Sequence, residues 1–242
     1  MISLEGAPQE AGRHFDCSGC TSLTSLEGAP QEVGRTFACY GCTSLASLKG
    51  APHEVGEDFL CHECTSLTSL KGAPQKVSGD FYCDDCDSLT SLEGAPKEVG
   101  RDFGCYNCIS LTSLEGAPKE VCGDFYCFYC ISLTSLKGAP RKVGRDFVCN
   151  YCTSLTSLEG APQNVGGDFN CNDTKITANQ KQVYLKWLKT KQKENYHEQR
   201  MPESMRFIRS IMRGNDVEAK AILESMMKKK VAGWMKTTLF LK

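Results

Sequence analysis

Histidine is scarce in this chain, with 4 among 242 residues. His14, His53, His62 and His197 are scattered, and the acids recur in a fixed register without a distinct catalytic pair. No glycine-rich phosphate loop precedes a helical segment. The usual signals of acid–base, nucleophilic and nucleotide chemistry are therefore lacking, and the expectation is a protein that is not an enzyme. Runs of 18 or more apolar residues are also absent, and no charged segment followed by a short apolar one opens the chain. Neither a transmembrane helix nor a secretory leader is expected, which points to a soluble cytoplasmic protein with reduced thiols.

Cysteine, by contrast, is abundant, at 16 residues. Fifteen fall in one register and Cys122 stands outside it. The net charge of −1 hides an asymmetry. Residues 1–171 carry 12 Lys and Arg against 22 Asp and Glu, whereas residues 172–242 carry 16 against 7. Two segments of opposite sign imply different jobs, or parts that attract each other.

The register is an internal repeat. Leu4, Leu26, Leu48, Leu70, Leu92, Leu114, Leu136 and Leu158 lie 22 residues apart, and eight phenylalanines from Phe15 to Phe169 keep the same period. A unit of this size cannot bury its own apolar face and must stack on its neighbours, which is the signature of a solenoid. The near-fixed positions within a unit read Phe-x-Cys-x-x-Cys-x-Ser-Leu-x-Ser-Leu-x-Gly-Ala-Pro. Phe37 and Cys39 alternate as inward residues of a short strand. Cys42, Leu45 and Leu48 then carry the apolar line around a corner, and Gly50 and Pro52 turn the chain into its return.

The stretch from Phe37 to Leu45, Phe-x-Cys-x-x-Cys-x-x-Leu, resembles the second part of the leucine-rich-repeat signature. "CYGCTSLASL" is similar to the Cys-Thr-Ser-Leu-Thr-Ser phrase of BspA-like repeats, of bacterial or phage type. The resemblance covers roughly residues 3–176. It implies a repeat solenoid of leucine-rich-repeat-like parallel β coils, with Cys42 at the Asn/Cys position that bonds the turn backbone. The signature's first leucine would fall at Gly34 in this copy, so the approach to each strand is expected to be looser, and the return limb irregular rather than helical. The expected organisation is a solenoid of about eight 22-residue units over 1–176, then a basic α-helical C-terminal cap over 177–242.

The Cys-x-x-Cys pairs have two further readings. Cys17 and Cys20 followed by Cys39 and Cys42 fit the spacing of a four-cysteine zinc module. Seven complete pairs, however, would leave one unmatched, and no Gly or Pro pattern shapes a knuckle. Buried Cys packs as a small hydrophobe, so two interior columns are expected, with no metal and no cofactor. A multi-zinc array is the alternative, and disulfide or redox chemistry a third. Cys122 is expected near the surface.

Binding is expected on the exposed strand face. Tyr40, Tyr82, Tyr106, Tyr126, Phe128, Tyr129 and Tyr151 are assigned to its variable positions. A column of aspartates including Asp80, Asp102, Asp124 and Asp146 precedes the phenylalanines. Stacked like charges repel, so the column is either compensated or attracts a basic partner. The aromatics either form a protein-binding surface or stack on one another and stabilise the sheet. The resulting expectation is a protein-interaction scaffold for a protein or peptide, with a basic partner suited to the flanking acid.

In the C-terminal segment Tyr184, Trp187 and Leu188 share a helical face. A helix from Pro202, lined by Met205, Ile208, Ile211 and Met212, is expected to stop at Gly214. Another, capped by Asp216, carries Leu223, Met226, Met227 and Trp234. A terminal cap or docking tail is the leading reading. Nucleic-acid binding through Lys228, Lys229 and Lys230, or a membrane-surface helix, are the alternatives. The chain opens inside a unit, at "ISLEGAP", which reads either as a fraying half-coil or as a truncated frame.

Overall fold

The computed structural model describes the backbone of residues 3–200, with side chains to residue 193, and residues 218, 221, 222 and 225. The chain divides into two compact units, Met1–Leu188 and Lys189–Lys242. The first is a parallel β-solenoid with 22-residue coils. Of the second, residues 189–200 and those at 218, 221, 222 and 225 are helical. The helices expected over 202–214 and 216–234, and the three-lysine cluster, lie otherwise outside the described residues. Among the described residues, no helix is long and apolar enough to cross a membrane.

Each coil contributes two strands of two residues, one to each of two eight-stranded parallel sheets. One sheet runs from Glu10–Ala11 to Asn164–Val165, the other from Phe15–Asp16 to Phe169–Asn170. The return limb, expected to be irregular, thus holds a strand of its own, Glu32–Val33 in the second coil. Its valine points inward and is buried, while the glutamate stays exposed. The register is one coil to the next, Phe37 opposite Phe59 and Val33 opposite Val55.

The near-fixed residues fill the space between the sheets. Phe37, Cys39, Cys42, Leu45 and Leu48 are all fully buried. Ring centroids of successive phenylalanines lie 5.2–5.5 Å apart from Phe15 to Phe169, all in the stacked class. Such a pair contributes about 0.5–1.5 kcal/mol beyond area burial.

The two cysteines of each pair have separate roles. The second donates its S–H to the backbone carbonyl of the first cysteine one coil earlier. This holds for Cys42 to Cys17, Cys64 to Cys39, Cys86 to Cys61, Cys108 to Cys83, Cys130 to Cys105 and Cys152 to Cys127, with Sγ to O distances of 3.0–3.4 Å. The acceptor is an otherwise orphaned turn carbonyl, and leaving it unpaired in the interior would be costly. Several first-position thiols bond forward instead, as Cys83 does to the Gly104 carbonyl. All 16 cysteines are free thiols. Burial pushes the thiols of Cys61, Cys83, Cys127 and Cys149 well above the ordinary range, which disfavours the thiolate needed for nucleophilic or ligand chemistry. Among the described residues, no three His, Cys, Asp or Glu side chains converge as a metal site would require.

Glycine is required at the corner. Gly50 has φ +94° and is third in a turn closed by the Ala51 N–H to the Leu48 carbonyl. That is the type II position, which only glycine occupies without strain.

The array ends under a helix, α1 (Ala178–Arg200). Its start is a reciprocal capping box: Thr177 N–H donates to Gln180 Oε1, and Gln180 N–H to Thr177 Oγ1. Gln180 Nε2 also bonds the Thr156 carbonyl, and Lys181 Nζ bonds Asn172 Oδ1. Tyr184 packs on Phe169 at 4.6 Å between centroids and donates its hydroxyl to the Pro162 carbonyl. Leu188 is buried, whereas Trp187, assigned to the same face, is 41 % exposed. The first turns of α1 therefore cap the last phenylalanine of the ladder.

Candidate interaction face

The aspartate column is compensated in part by the backbone. Asp58, Asp80, Asp102, Asp124 and Asp146 each accept, through Oδ1, the backbone N–H of the aspartate one coil later, at 2.7–2.9 Å. Asp124 is almost fully buried and also accepts the Tyr126 hydroxyl, with Arg145 at 3.5 Å. A hydrogen bond to a charged group contributes roughly 1.5–3 kcal/mol. Like charges about 4.8 Å apart repel by about 1 kcal/mol in water and about 3–4 kcal/mol at the lower dielectric near a protein surface. Burial together with the Asp58 and Asp102 charges holds Asp80 above the usual carboxylate range. The N–H donors offset part of that repulsion, and Oδ1 of each of these five carboxylates is committed to the next coil.

The seven aromatic residues do not share one strand face. Tyr82 and Tyr126 follow the inward phenylalanine within strands and are half-buried. The other five lie in the turn after the strand. Tyr40, Tyr106 and Phe128 fill the first position between the cysteines, and Tyr129 and Tyr151 the second. Alternation carried past the two-residue strand puts all seven on one face, whereas the strand ends before the first cysteine.

The second turn position is left-handed in the described coils, with φ from 53° at Asn107 to 67° at Gly19. Coils one and two place Gly19 and Gly41 there. Coils six and seven place Tyr129 and Tyr151 there, at φ 58° and 59°. A non-glycine residue in this region costs about 1–2 kcal/mol, and a bulky one is unusual. The two rings stack at 4.6 Å, yet the tyrosines remain 44 % and 42 % exposed. Beside them Phe128 stacks on Tyr106 at 4.5 Å and meets Tyr126 and Tyr129 edge-on.

Two further exposed apolar residues follow the same turns. The position after the second cysteine is Thr21, Thr43, Thr65 and Thr153 in four coils, but Ile109 and Ile131 in coils five and six. Both isoleucines are exposed. The aromatic positions do not reveal them, but the change from threonine to isoleucine is visible in the sequence. The patch is bordered on the coil-four side by acid: Asp87 is exposed, and Asp85 accepts a hydrogen bond from Asn107 Nδ2. Tyr40 lies apart, stacked on His62 at 4.7 Å, and does not join the patch. Burial holds His62 below its ordinary pKa.

No family model, curated protein or solved structure matches this chain. The leucine-rich-repeat resemblance thus rests on the motif alone.

Proposed function

We propose that the protein is a non-enzymatic interaction scaffold that binds a protein or peptide through the turn face of coils five to seven. The observation supporting this reading is the coordinated departure of these coils from their own repeat. Threonine becomes isoleucine at two exposed positions, and tyrosine stands at two left-handed ones where the other coils hold Gly, Glu, Asp or Asn. Neither change improves the coil: exposed isoleucines gain little burial, and the tyrosines accept backbone strain. The left-handed turn recurs in every described coil, and what sets coils six and seven apart is that a bulky, exposed tyrosine occupies it. Exposed aromatic and apolar side chains in one patch are what interface cores contain. The acidic border at Asp85 and Asp87 favours a partner with basic residues flanking its apolar contact.

Mutual stacking alone would stabilise the turns by about 0.5–1.5 kcal/mol per ring pair, which is no more than the strain removes. The test is a variant that returns the patch to residues already present at the same positions elsewhere in the chain: Ile109→Thr, Ile131→Thr, Tyr129→Gly and Tyr151→Gly. Its melting temperature is expected to stay within a few degrees of wild type, because glycine relieves what lost stacking costs. In affinity capture, proteins retained by wild type should be lost by this variant but kept by a control altered at Tyr40. An identical captured set from all three would remove the proposal.

A further inference from the structure

We propose that Asp84 is a proton-operated joint in the fourth coil: as the neutral acid it stays folded beneath its turn, and on losing its proton it leaves, loosening the turn that borders Tyr106. The position is the first between the cysteines, where other coils place Ser18, Tyr40, His62, Tyr106, Phe128, Asn150 and Asn172. Asp84 is the carboxylic acid in that column, and it is only 2 % exposed. Its Oδ1 is buried without a hydrogen-bond partner.

The cause of this burial is Gly104, one coil later. A Cβ built there would lie 2.4 Å from the Tyr82 ring and 2.6 Å from Asp84 Oδ1. The bare glycine is the space into which both side chains fold. Other coils hold Ala38, Leu60, Tyr126 or Val148 at this strand position, and such a side chain would occupy that space. Asp84 and Gly104 therefore form a matched pair.

The groups around Asp84 offer no cation. Asp85 adjoins it in the turn, Tyr82 and the thiols of Cys83 and Cys86 come from its own coil, and Tyr106 and Cys108 from the next. The preceding coil supplies Cys61, and beyond it His62 and Glu63 interact with Asp85 and Tyr106. Tyr106 and the local backbone N–H groups favour the anion, but burial and the Asp85 charge outweigh them and push the carboxyl up to about 8. A free aspartate ionises near 3.9. The folded state thus holds its proton more tightly than the unfolded one. The associated stability is fully present below about pH 4 and is lost as pH rises through about 8.

The neutral isostere is already tolerated by the repeat, since Asn150 Oδ1 accepts the Asn172 N–H at 2.8 Å. The test is a 13C and 15N NMR titration of the full chain from pH 5 to 9.5, on wild type and Asp84→Asn. The Asp84 carboxyl carbon should titrate with a midpoint about 8. The amides of residues 104–107 should shift with that midpoint in wild type and lose that transition in Asp84→Asn. The melting temperature of the variant should rise relative to wild type as pH increases. A carboxyl carbon that shows no transition between pH 5 and 9.5, as for a group ionising in the ordinary range near 4, or a high midpoint with unmoved amides at 104–107, would overturn the proposal. So would an amide transition that persists in the variant.

Discussion

Replacing Phe103 by alanine is expected to cost about 3–5 kcal/mol, as truncation of a fully buried phenylalanine does. Phe103 is stacked at 5.2 Å on both Phe81 and Phe125, so its loss opens a void between two coils as well as removing its own burial. In a linear array each coil touches only its neighbours, so a defect at mid-ladder uncouples the coils on its two sides. Urea unfolding followed by circular dichroism should therefore show a lower midpoint and a broadened or split transition. The matched control is Phe15→Ala at the first rung. That ring stacks on one neighbour only and is half-buried, so its truncation should cost clearly less. Equal losses at the two rungs would mean that the phenylalanine column is not a ladder with interior and end positions.

Gly116→Ala is expected to be comparably severe although it adds only a methyl group. Its φ is +97°, and a Cβ there would sit 2.4 Å from the Leu92 carbonyl carbon and oxygen. The first problem is local and costs about 1 kcal/mol or more in the left-handed region. The second is a clash with the backbone of the preceding coil, which cannot yield without breaking register with the coil beneath. Together they should lower stability by about 3 kcal/mol or more. Gly6, at φ +88°, has nothing within 4 Å of its built Cβ, so Gly6→Ala carries the conformational cost alone. The difference between the two variants in chemical denaturation isolates the inter-coil contact. Gly116→Ala no worse than Gly6→Ala would contradict the close approach.

These contrasts show which parts of the fold were legible in the sequence. The 22-residue period and the inward Phe, Cys and Leu positions could be read because every coil must present the same small set to its neighbours. The second sheet could not: a two-residue strand such as Glu32–Val33 is too short to show alternation. Nor could the left-handed turn position, where Gly, Glu, Asp, Asn and Tyr all occur and the shared backbone conformation is masked by unlike side chains. The aspartate column was legible as a row of like charges but not as a row of acceptors. Its partners are backbone N–H groups 22 residues away, which no side-chain pattern reports. The helix start was readable in principle, since Thr177 and Gln180 have capping-box spacing.

The candidate face divides in the same way. Its aromatics were visible, but their grouping depended on turn geometry. Tyr106, Phe128, Tyr129 and Tyr151 converge, Tyr126 touches their edge, and Tyr40 and Tyr82 do not join them. Function is assigned to positions that change between coils because the constant positions are consumed by packing.

That division depends on the cysteine pairs being internal hydrogen-bonding ladders. The most direct test is elemental analysis of the full chain purified under reducing conditions, with circular dichroism recorded before and after adding a chelator. The ladder predicts no stoichiometric zinc and an unchanged spectrum. About three zinc ions per chain, with loss of structure on chelation, would contradict it.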